Sequence, residues 1–112
     1  MTITRRWAIL PVLYGALAMP AQQHAGPAWA ELNSSMEKMH AAMMSIKPSG
    51  QSDVDFVRLM LPHHQAAIDM ARTQLLFGKD PQMRRLAQEI VTDQQSEIEL
   101  MQVWLNSRAK EH

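Results

Sequence analysis

The sequence predicts an all-α chain, three helices packed as an antiparallel bundle around one apolar seam, and three observations carry that expectation. Apolar residues recur at three- and four-residue spacing from Leu32 to Leu105, no stretch alternates as a strand does, and start and stop signals divide the run into three. The segments between the helices are short, which favours antiparallel neighbours. A length of 112 residues leaves room for one small domain.

The first helix is expected over 34–46. Ser34 followed by Glu37 reads as a capping box, and Lys47-Pro48-Ser49-Gly50 as a stop. Its stripe of Leu32, Met36, Met39, Met43 and Ile46 is expected to face inward, with His40 and Met44 on the shoulder. The second helix opens on the same signature, Ser52 with Asp55, and runs through Val57, Leu61, Ile68, Ala71 and Leu75 to Gly78, which offers a C′ position. Pro62 lies inside it and is expected to bend the chain just before His63 and His64. At about 100° per residue His64 falls in the middle of the apolar stripe, whereas His63 lies beside Phe56, Met60, Met70 and Gln74. The third helix starts at Asp80-Pro81, an N-cap followed by proline at the first position, and continues to about Arg108. Gln94 and Glu97 fall on or beside its buried face. Either could take a hydrogen bond from a histidine ring and orient it, or both could form a solvated edge.

Ahead of these helices, Arg5-Arg6, an apolar run from Trp7 to Met19 and small residues up to Ala28-Trp29-Ala30 follow the pattern of a secretory signal peptide. The run is shorter than the roughly 20 residues a bilayer-spanning helix needs. The expectation is a leader over 1–30, a helical domain over 31–112, and a periplasmic or otherwise exported product with no stable membrane anchor. Cleavage after Ala18 or Ala21 satisfies the same small-residue preference. The arginine pair fits an ordinary basic n-region better than a twin-arginine signal. A domain this short is near the lower limit for a self-sufficient core, so a homo-oligomer that completes a larger bundle belongs to the same expectation.

Eleven basic against eleven acidic residues give zero formal charge and no basic excess for nucleic acid. The absence of cysteine excludes disulfides, thiolate metal sites, iron–sulfur clusters and a thiol nucleophile. Ten methionines and five histidines are the unusual feature. Thioether sulfur is a soft ligand suited to Cu(I), and imidazole accepts both copper oxidation states. On this ground Met60, His63 and Met70 on the second helix, with Met36, Met39, His40 and Met43 on the first, are candidate ligands for copper, Cu(I) ahead of Cu(II) or Ag(I). The plain reading of a methionine stripe is flexible core filler. A different function, docking a partner protein or a second copy through the Met-rich surfaces, uses the same residues. A hydrolase built on His64 and Glu97 lacks a placed nucleophile, so no enzyme is expected.

The stretch DVDFVRLMLPHHQAAIDMA (53–71), followed by FGKDPQMRRLAQEIVTDQQSEIELMQVWL (77–105), resembles the family described as domain of unknown function 305. The shared positions here are Met60, His63-His64, Ala67-Ile68-Asp69-Met70-Ala71, Gly78, Asp80-Pro81, Leu86-Ala87, Ile90, Gln94, Glu97-Ile98 and Met101. The resemblance implies a ferritin-like helical bundle, usually exported, with some members implicated in binding copper and protecting cells from it. It makes Met60, His63, His64, Met70 and Met101 candidate ligands. It does not imply a di-iron centre, because neither His63 nor His64 has a glutamate three residues before it.

Overall fold

Local signals set most of the helix ends seen in a computed structural model, which describes Gly15 and residues 25–110. Three helices make up the described chain: α1 over Gly26–Met44, α2 over Ser52–Phe77 and α3 over Pro81–Lys110. The arginine pair, the apolar run and the upstream cleavage alternatives lie outside the described residues.

The start of α1 differs from the expected Ser34. The helix begins at Gly26 with Pro27 in its first turn, and runs unbroken across the Ala30–Glu31 bond. The apparent capping box is internal to it: Asn33 Nδ2 donates to Glu37 Oε1 at 2.7 Å, and no side chain caps the N-terminus. Proline at the start and the helix formers that follow extend the helix upstream of Ser34. It ends two residues before the expected Ile46. The Ser45 and Ile46 amides close on the Ala42 and Met43 carbonyls at 3.2 Å, and Pro48 lies just beyond.

α2 starts at Ser52, although Ser52 is not its cap. Gln51 occupies the extended N-cap position, and Asp55 Oδ1 reaches back to accept the Ser49 amide at 2.8 Å. The helix continues through Pro62 to Phe77. Gly78 is its C-cap in an extended conformation, φ −71°, so left-handed backbone is not the reason for glycine there. The reason is space, because a Cβ on Gly78 would collide with the Gln74 side chain and carbonyl. Arg84 Nη1 donates to the carbonyls of Leu75 at 2.6 Å and Gly78 at 3.0 Å, satisfying groups that the helix end leaves open. At the start of α3, Asp80 Oδ1 accepts the Met83 amide at 3.0 Å, the N-cap bond the sequence predicts.

The packing departs from a single seam shared by three helices. α2 packs against α3 on one side and α1 on the other, and α1 and α3 do not contact each other. Val57 and Ile68 meet Ile98 and Met101 in the main cluster, to which α1 contributes nothing. On the α1 side the buried residues are small, Ser35 and Thr73, which line the cleft between α1 and α2. Both hydroxyls turn back to their own helices: Ser35 Oγ donates to the Glu31 carbonyl and Thr73 Oγ1 to the Asp69 carbonyl, each at 3.1 Å. Ser35 is the buried residue of α1, and the expected inward stripe faces α2 only in part: Leu32, Met39, Met43 and Ile46 are half-buried, and Met36 is exposed. α2 thus packs on both flanks, Val57 and Ile68 toward α3 and Thr73 toward α1, so the helices form a layer centred on α2.

Candidate metal site

His64 and Glu97 are brought together by the antiparallel register of α2 and α3. The His64 side chain is 14% exposed and faces α3, and Nε2 lies 2.5 Å from Glu97 Oε2. Nδ1 lies 3.0 Å from the Met60 carbonyl. A carbonyl only accepts, so Nδ1 carries the proton directed at Met60. Nε2 and the Glu97 carboxylate face each other as a hydrogen-bonded pair. Both nitrogens of His64 are committed inside the fold. Glu97, rather than Gln94, is the histidine's partner. Gln94 Oε1, one turn earlier on α3, is buried and has no hydrogen-bond partner among the described residues.

His63 is placed differently. Its side chain is exposed, its ring centroid is 6.1 Å from that of His64 at a 57° tilt, and no hydrogen bond to a described residue holds it. Met60 precedes His63 by three residues and His64 by four, so it borders both rings; it is half-buried against the main cluster. Met70 is also half-buried and lines an open groove with Leu32, Ala67 and Leu86. Met101 is a core residue, 9% exposed, one turn beyond Glu97 on α3.

The first-helix candidates lie across α2 from Met101. Glu31 and Lys38 share a cleft with Asp69 and Phe77. Continued at one residue per residue, that antiparallel register runs Met43 toward the turn of His63 and His64 and Met36 toward the turn of Met70 and Ala71. Met39 lies between them on the side nearer α2. Of the nine candidates Met101 is buried, His64, Met60, Met70, Met39 and Met43 are half-buried, and His63, Met36 and His40 are exposed. Among the described residues no three His, Cys, Asp or Glu side chains gather as a metal site would require.

A model of the family described as domain of unknown function (DUF305) matches residues 6–105. The chain belongs to that family. A relative described as an uncharacterized protein of Acanthamoeba polyphaga mimivirus is 38% identical over 56 residues, covering 50% of this chain and 37% of that protein. The chain therefore spans well under half the length of this relative. In this DUF305 chain the His-His pair divides its work by position on the helix: one ring is tied to Glu97, and the other is presented at the surface. Sequence reasoning did not find Arg84 as the C-terminal clamp of α2. Its signal was a lone arginine six residues after the glycine stop, and only the reversal of the chain brings it back to those carbonyls.

Proposed function

We propose that the chain binds copper as a buffer or carrier outside the cytoplasm, with Cu(I) held chiefly by His63 and Met60 and by methionines of the facing edge of α1. The observation that carries this reading is the position of His63: an exposed imidazole with no hydrogen bond to a described residue, one turn from Met60. Two or three thioethers and one imidazole suit a soft monovalent ion, and thioethers need lose no proton to bind it. The donor set fits copper better than a hard divalent cation, whose oxygen ligands do not gather here. Copper is the cargo in this reading, and no reaction is assigned to the chain.

His64 and Glu97 act behind this surface as positioning residues. Their bond fixes the turn of α2 that carries Met60 and His63. Export is proposed on the leader pattern. A cut after Ala21 would leave α1 whole, whereas one at Ala30 would remove its first turn, so the helix supports the upstream site. The test of the copper reading is anaerobic Cu(I) titration of the exported chain against a competing chelator. Affinity unchanged in a variant carrying His63→Ala and Met60→Leu together would remove the proposed ligands.

A further inference from the structure

The two broad sides of the helical layer have opposite character. One carries the cleft lined by Glu31, Lys38, Asp69 and Arg72. The other carries a groove of about 380 Å³ whose lining holds no charged side chain, floored by α2 and walled by α1 and α3. Leu32, Met70, Met83 and Leu86 line it. The stripes extend beyond it at spacings of three and four: Met36 follows Leu32, and Phe56 continues the line of Met60, His63, Ala67 and Met70. Met36, Phe56, Met83 and Leu86 are all exposed on this side.

We propose that this side pairs face to face with the same side of a second copy of the chain, forming a two-layer bundle of six helices. Dimensions favour a second copy over a single helix. Three helices about 9 Å apart, sharing a length of about 28 Å, present roughly 800 Å², close to what one partner contributes to a stable complex. A single helix of about 13 residues is about 10 Å wide and would cover roughly a quarter of that face. Charge favours it too, because two uncharged groove linings meet without opposing like charges, which the Glu31–Arg72 side would not allow so simply. The monomer's own core supplies the need. Ile68 is its one large fully buried side chain among the described residues. Pairing is independent of metal. That it would also bring Met60 and His63 of both copies to one interface rests on the copper reading.

The test is the solution mass of the full chain by light scattering, over a range of concentrations and with chelator present to keep metal out. The expected mass is twice the 12.7 kDa of one chain. Leu86→Glu, at a position 45% exposed, should weaken pairing at least tenfold while circular dichroism stays helical. Leu76→Glu, on the opposite side and 74% exposed, should leave the dimer intact. Because the chain has no cysteine, Ala67→Cys near the centre of the face should cross-link two copies on oxidation, and Leu76→Cys should not. A single-chain mass at every concentration, a dimer indifferent to Leu86→Glu, or a monomer that pairs only when residues 2–21 are deleted would each overturn the proposal. The last outcome would make the N-terminal run the occupant. None of these readouts uses copper, so a failure here leaves the copper titration to stand or fall separately.

Discussion

His63 and His64 are consecutive, yet a step of about 100° around α2 gives one a surface and the other a partner. His64→Ala removes the bonds to Met60 and Glu97 and should lower stability by about 1–3 kcal/mol. The lower half of that range is expected, because the Glu97 side chain is 55% exposed and water can take over its carboxylate. His63→Ala should change stability by less than about 0.5 kcal/mol but weaken Cu(I) binding at least tenfold. Urea unfolding and competitive titration of the two variants check the ranking, and the opposite order would move the site to the α2–α3 seam. Spacing on the third helix narrowed the histidine's partner to Gln94 or Glu97, since both lie near its inner face. Choosing between them needs the register between helices, which hydrophobic period does not contain. Met101 shows the complementary limit: its family position made it a candidate ligand, and burial in the core cluster is what the fold adds.

At the scale of the element, helix ends were legible where the signal is a local bond and illegible where the same letters occur inside a helix. Asp80-Pro81 read correctly because the Asp80 side chain caps the next turn whatever packs around it. Asp80→Ala should therefore cost about 1 kcal/mol in chemical unfolding. Ser34 and Glu37 carried the same kind of pattern, but Pro27 had already started the helix. Gly78 was read correctly as a stop for a different reason from the actual one. Gly78→Ala should destabilise by roughly 1–3 kcal/mol through crowding, and adding Gln74→Ala should recover only part of it, because the Gln74 carbonyl remains in the way. At the other end of α2, the Ser49 hydroxyl and amide beside Asp55 hold its carboxyl below the usual carboxylate range. A carboxyl lowered in the folded state stabilises above its unfolded value, near pH ~4, and that contribution is lost as pH falls through the folded value. The melting temperature should then drop more steeply below pH ~4 in the parent chain than in Asp55→Asn. Parallel curves would show that the Ser49–Asp55 contact adds nothing to folding.

For the whole molecule, the class was written in the period of the apolar residues, while the arrangement was not. A bundle around one seam and a layer built on two seams need the same three amphipathic segments. They differ in how the apolar arc of α2 is shared, and that arc is wide enough to serve a neighbour on each side. Here Val57 and Ile68 go to α3, and Thr73 to α1. Stability should be divided in the same way. The large side chains of the main cluster come from α2 and α3, whereas the buried residue α1 contributes is a serine, and its Leu32, Met39 and Met43 are only half-buried. α1 should therefore open at a lower free energy than the pair it leans on, without unfolding α2 or α3. Hydrogen exchange followed by mass spectrometry would show amides of 30–42 exchanging well before those of 61–72 and 91–101. If all three helices exchange together at one rate, α1 is bound into a single cooperative unit by contacts beyond those of one chain, and repeating the measurement on Leu86→Glu would show whether the second copy supplies them.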